Sequence, residues 1–277
     1  MNVFSPNFPR LALLTTLFLG AGLQPLPAED LHFDLLSTGA MKKTGGFMPQ
    51  RLTLSAQKPR EIKKVPMGLT APLYGVLKLG PAEAPTVFGV VLDEPTGQPP
   101  RLWVDANGNG DFTDDPPAVW ESKPYAAQDG KPTFEFMEYH GGATVQVAYG
   151  AEVLPLHLEM YRFDKKDPAR AAFKNALFYY ADYAREGNII LGDKPRKSLL
   201  VDRLATGDFR GKKEAMFMHG KPFSGVQLFI DLDGDGRYNF RSEVFDAWQP
   251  FEVDGATYQV TGLTASGDSF HLEKTGK

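Results

Sequence analysis

The sequence predicts a mainly β protein, with antiparallel sheets in a sandwich-like meander and at most one short helix. Three observations predict it. Short apolar runs rich in Val, Leu, Ile, Phe and Tyr recur along the chain and end in Gly, Pro, Asp or Asn. A helix start with a capping acid and proline at the first helical position occurs once, at Asp167-Pro168. A strand-then-loop unit is written twice, at residues 102–112 and 228–239, and a weakened third copy lies at 199–209.

The elements follow in order. Arg10 is the only charge before residue 29, residues 11–23 form an apolar run, and Leu26-Pro27-Ala28 ends on a small residue. That is the pattern of a secretory signal peptide over residues 1–28, too short in its apolar part to span a bilayer. It predicts an exported protein, periplasmic or extracellular. No later stretch is apolar and long enough to cross a membrane, so no membrane span is expected. The chain has no cysteine, which excludes disulfides, thiol chemistry and zinc–thiolate sites. The formal net charge is −4, and a mildly acidic chain argues against nucleic acid as a partner. The five histidines are scattered, without an HExxH pair, and read as surface or strand residues.

The rest of the chain divides into a β half over residues 29–165 and a second over 166–277. Strands are expected at 50–54, 74–79, 87–92, 102–104, 133–139, 144–149 and 153–162, then at 177–184 after the one helix of 168–174. Glu186-Gly187-Asn188 and Asp193-Lys194-Pro195 are expected to turn the chain before strands at 189–191 and 198–201. A final hairpin is expected from 256–263 and 269–273.

The loops carry the chemistry. Asp231, Asp233 and Asp235 stand at positions 1, 3 and 5 of a loop with Gly236 at position 6. Asp105, Asn107, Asn109 and Gly110 repeat that spacing. Short oxygen ligands on alternate residues point to one side, and the glycine permits the turn that wraps chain around a cation, so both loops predict calcium. Position 7 is Arg237 or Asp111, offering its backbone carbonyl, with the Asp111 side chain a further option. A bidentate Glu at position 12 is missing: Ser242 and Pro116 stand there. Glu243 lies one residue beyond it in the later loop, and Asp114 or Asp115 just before it in the earlier one. Greater formal charge predicts tighter binding at the Asp231 loop. The copy from Asp202 to Asp208 has Leu204 and Thr206 at positions 3 and 5, and reads as a turn without metal.

A longer duplication follows each loop: Trp120, Pro124-Tyr125 and Asp129-Gly130 in the first half, Trp248, Pro250-Phe251 and Asp254-Gly255 in the second. The tryptophans are expected to be packing anchors. The run from Tyr74 through the first loop, and the segment from Phe229 to Glu243, resemble a group of exported bacterial β-rich proteins. Some of these are similar to modules placed before thioredoxin-like domains. The resemblance implies the Asp/Asn loop residues and no catalytic residue, and this chain has no Cys-x-x-Cys to carry redox chemistry.

Ser55-x-x-Lys58 and Lys274-Thr275-Gly276 match fragments of the penicillin-binding pattern, but Ser55 follows strand-like sequence and Pro59 breaks what comes next. Glu135, Glu138 and Glu159 leave room for a glycosidase carboxylate pair. The expectation is therefore an exported calcium-binding structural or interaction module with an unnamed protein or glycan partner. The alternative is a calcium-stabilised hydrolase or carbohydrate binder.

Overall fold

The computed structural model describes residues 29–126, 132–211, 216–218 and 221–276. The signal-peptide expectation for residues 1–28 and the Asp129-Gly130 turn lie outside them. The chain is mainly β, in several antiparallel sheets.

The second loop springs from a five-stranded sheet. Its order is Val244–Asp246, Val226–Ile230, Lys194–Asp202, Ala184–Leu191 and Asp34–Leu36. All five residues of Val226–Ile230 are buried, because the sheet is covered on both faces. Val226, Leu228 and Ile230 join the main core, while Phe229 packs on the other side with Ala184, Leu199, Val201 and Val244. A strand covered twice reads as a continuous apolar run instead of an alternation.

The first loop springs from a three-stranded sheet of Pro72–Leu79, Thr86–Asp93 and Arg101–Val104. It is built alike. Phe88, Val90 and Leu92 face the main core, and Val91 faces a small cluster of Ile62, Tyr74, Trp103 and Phe112. A second five-stranded sheet orders Gln50–Thr53, Ala176–Ala181, Glu152–Phe163, Pro132–Tyr149 and Trp120–Ala126. The fourth sheet pairs Glu29–His32 with Ser269–Gly276, then Ala256–Thr261 and Phe251–Val253. Met216–Met218 and Lys221–Phe223 form a separate hairpin. The division at residue 165 runs through a hydrogen-bonded sheet, since Ala176–Ala181 lies between Gln50–Thr53 and Glu152–Phe163.

Three glycines read as turn or break signals lie inside strands. The predicted strands 133–139 and 144–149 are one, Pro132–Tyr149, which runs through Gly141 and Gly142. Side chains there would collide: a Cβ on Gly141 would stand 2.2 Å from the Val119 carbonyl oxygen, and one on Gly142 2.6 Å from His157 Nε2. Gly187 likewise sits within Ala184–Leu191 because the Phe33 ring lies where its Cβ would be, at 2.6 Å. Glycine marks close approach here, and the turn falls earlier, at Asp182 and Tyr183.

The helix at Asp167-Pro168 is a short 3-10 helix, Pro168–Phe173, with the Asp167 carboxylate accepting the Ala169 N–H at 2.8 Å. A further short helix, Ala40–Thr44, was not anticipated. Its cap is not local. Asp182 accepts the N–H groups of Gly39 and Met41 at 2.6 and 2.9 Å, and the Thr38 hydroxyl at 2.8 Å. Trp120 and Trp248 are half-buried against the main core.

Arg162 is fully buried on the long strand Glu152–Phe163. Its Nε and Nη2 donate to the Glu94 carboxylate at 2.7 and 3.1 Å, and Nη1 and Nη2 donate to the carbonyls of Ala176 and Lys174 at 2.7 Å each. Removing one partner of such a pair leaves the other charge with little solvent to compensate it. Arg162→Ala is expected to cost about 3 kcal/mol in urea unfolding. A loss under about 1 kcal/mol, the range of a surface ion pair, would show that Glu94 finds water or Lys165 instead.

Candidate metal centre

In the second loop, one oxygen from each of Asp231, Asp233 and Asp235 lies within 4.8 Å of the others, close enough to hold a metal ion. Asp231 is buried, and Asp233 and Asp235 face solvent. The backbone makes this convergence. Gly234 and Gly236, at positions 4 and 6, have φ of 79° and 80°, in the left-handed region that glycine adopts without strain. They turn their N–H groups inward, so Asp231 accepts from Gly234 at 2.7 Å and from Gly236 at 3.1 Å. Asp233 and Asp235 each accept the N–H two residues on, from Asp235 at 3.0 Å and Arg237 at 2.7 Å. Glu243 folds back over the loop and is buried. It accepts the N–H groups of Leu232 and Asn239 at 2.8 and 2.7 Å, and that of Asp233 at 3.3 Å. The acids leave an electrostatic mark on Tyr238, whose phenol is pushed up to about 12, first by burial and then by Asp231, Glu186 and Glu243.

The first loop repeats the backbone. Gly108 and Gly110 have φ of 72° and 78°, and the buried Asp105 accepts from Asn109 at 3.1 Å and Gly110 at 2.8 Å. Asn107 and Asn109 accept the N–H two residues on, at 3.0 and 2.5 Å. Asp115 accepts the N–H of Ala106 at 3.1 Å, as Glu243 accepts that of Leu232. Asp114 accepts the side-chain amides of Asn107 and Asn109 at 3.2 and 2.9 Å. Asp115 Oδ2 is buried without a hydrogen-bond partner, and burial, followed by the charges of Asp105, Asp114 and Asp111, raises its carboxyl above the ordinary value.

Asp111 does not turn inward. Its carboxylate pairs with the Lys64 ammonium and accepts from Thr113, which hold it down to about 2. Lys63 Nζ donates to the Asn109 carbonyl at 2.7 Å, and the N–H groups of Lys63 and Lys64 donate to the Gly110 carbonyl at 2.8 and 3.0 Å. A neighbouring extended segment thus already ties down the outer rim of the first loop. No comparable lysine clamp lies on the second among the described residues.

The third copy keeps the same conformation, with left-handed Ala205 and Gly207 at positions 4 and 6, φ 50° and 71°. Asp202 is buried and saturated. It accepts from the N–H groups of Leu204, Thr206 and Gly207 at 3.0, 2.7 and 2.8 Å, and from the Tyr183 and Thr206 hydroxyls at 2.8 and 3.1 Å. Position 8 is aromatic in all three loops, Phe112, Phe209 and Tyr238. Phe112 and Phe209 are buried, and each plugs its loop into a core. The loops do not pair with one another through that residue: the Phe112 N–H donates to Lys64 and that of Phe209 to Ala265.

The fragments of the penicillin-binding pattern are not assembled. Ser55 lies in an extended segment bridged to Tyr74, and Lys58 Nζ donates to the Ile62 carbonyl at 2.5 Å. Glu138 pairs across the sheet with Phe163 and Glu159 with Gly142. Four register positions separate them along the strand, a backbone distance of roughly 13 Å, and each carboxylate stands beside its own histidine, Glu138 by His140 at 3.1 Å and Glu159 by His157 at 3.7 Å. Glu135 has no described side chain. No protein-family model, curated protein or solved structure matches this chain. Among the described residues no helix is long and apolar enough to cross a membrane.

Two outcomes follow from this geometry. Asp202→Ala strands three amides and the Tyr183 hydroxyl at once, and is expected to cost at least about 3 kcal/mol, equally in calcium and in chelator. A calcium-dependent loss would instead mark this loop as an ion site. The depressed Asp111 carboxyl means that the Lys64 pair stabilises the fold above the ordinary carboxylate value of 3.8 and loses that contribution as pH falls toward about 2. In chelator, NMR titration should place the Asp111 midpoint near 2, and Lys64→Gln should move it up. An unmoved midpoint would remove Lys64 as the cause.

Proposed function

We propose that this is an exported calcium-binding protein whose ions order the two loops, and that it serves as a structural or interaction module. The observation that carries the reading is the convergence of Asp231, Asp233 and Asp235 within 4.8 Å on a loop whose glycines hold a ligand-presenting conformation. The donors are oxygens throughout; among the described residues no imidazole joins the group, and the chain has no cysteine to supply a thiolate. A hard divalent cation is therefore favoured over zinc or copper, and a flexible loop suits calcium better than the strict octahedron of magnesium. The apolar, nearly uncharged start of the sequence supports export, where millimolar calcium is met. Buried Asp231 and Asp105 supply the desolvated charge, and Glu243 and Asp115 brace each loop from behind through the position-2 amide.

The mechanism is ordering. Clustered carboxylates repel until a cation neutralises them, and the ion then fixes the strand before the loop against the chain after it. With calcium at about 100 times its dissociation constant, one site adds roughly 2.7 kcal/mol. For a chain of this length that is roughly 5–10 °C in melting temperature. The expected result is a rise of that order between chelator and millimolar calcium, a smaller one with magnesium, and most of it lost in Asp231→Ala. Identical melts in calcium and chelator would reduce both loops to turns and end the proposal.

A further inference from the structure

Beside the second loop the surface opens into a cleft of about 540 Å3. Its walls come from separate parts of the chain. Helix Ala40–Thr44 contributes Lys42 and Lys43, strand Ala184–Leu191 contributes Glu186 and Asn188, strand Lys194–Asp202 contributes Lys197, and the loop tip contributes Arg237 and Tyr238. The charges are unbalanced. Lys43 pairs with Glu186, which leaves Lys42, Lys197 and Arg237 with Asp34 among the charged lining residues; Asp231 and Glu243 act on Tyr238 from the loop side, where a bound cation would offset them. None of these three cations forms an ion pair with a described residue. On a chain of formal charge −4, a concave lining with an excess of cations attracts anions from solution.

We propose that this cleft binds a compact organic anion, with its acidic group between Lys42, Lys197 and Arg237 and its body against Tyr238 and Asn188. The volume lies within the range of small-molecule sites, about 300–1,000 Å3, and suits a ligand of monosaccharide size. The floor is rigid. Lys197 lies on a strand paired on both sides, and its carbonyl accepts the Asp231 N–H at 2.9 Å, so the cleft wall and the ion loop are hydrogen-bonded to each other. Carboxylate and phosphate share the chemistry that these cations recognise, and the experiment separates them.

The test is calorimetric titration of the protein with glucuronate, with glucose 6-phosphate and with neutral glucose in millimolar calcium. One or both acids should bind and glucose should not, and the preferred acid identifies the acidic group. The double variant Lys42→Gln with Lys197→Gln should weaken that binding at least about tenfold with an unchanged melting temperature, since both side chains are exposed. No binding of either acid below about 10 mM, equal binding of glucose, or unchanged binding by the double variant would each overturn the proposal. Repeating the titration in chelator keeps this inference apart from the calcium reading. Retained binding supports the cleft even if the loop takes no ion, whereas binding lost in chelator and unaffected by the double variant would mean that the ion alone bridges the acid.

Discussion

The contact on which the loops depend is the hydrogen bond from the position-6 glycine amide to the buried carboxylate at position 1. It recurs as Gly110 to Asp105, Gly207 to Asp202 and Gly236 to Asp231, at 2.8, 2.8 and 3.1 Å. Each carboxylate stands at the end of a buried strand, where an uncompensated charge would be costly. Each is met by several backbone N–H groups, in every copy including that of the left-handed glycine at position 6. The carboxylate thus shapes the loop, and the loop in turn makes burial of the carboxylate tolerable. A cation at positions 1, 3 and 5 adds to this arrangement without having to create it.

That shared frame also explains how the three copies differ. In the third, Tyr183 and Thr206 complete the shell around Asp202, and Ala205 holds the left-handed place of a glycine. In the first, Lys63 and Lys64 grip the rim, and Asp111 is spent on Lys64. Among the described residues the second has neither device, though Arg196 donates to its Leu232 carbonyl, and its three aspartates point together with two of them exposed. The copies form a series from a loop closed by protein groups alone to one left open at its centre.

Much of this was legible in the sequence. The loops could be read because their ligand spacing and glycines are local, and most strands because their apolar runs are bounded by turn residues. What escaped was set by distant partners. Gly141, Gly142 and Gly187 signal turns in isolation but are demanded by Val119, His157 and Phe33. Helix Ala40–Thr44 has no local cap, since its capping acid is Asp182. Spacing could not tell that Asp115 reaches the Ala106 amide while Asp114 reaches the Asn107 and Asn109 side chains. The lysine clamp on the first loop was invisible because Lys63 and Lys64 precede it by more than 40 residues.

The pairing of Glu29–His32 with Ser269–Gly276 bears on the order of assembly. Of the described strands this one is the first made from the N-terminus, yet its sheet partner among them is the last. Helix Ala40–Thr44 waits in the same way for Asp182, and Asp34–Leu36 for Ala184–Leu191. Contacts of such long separation close late and slowly. The first described strand to appear is thus the last to be locked, and the sheets between must hold together without it until its partner arrives.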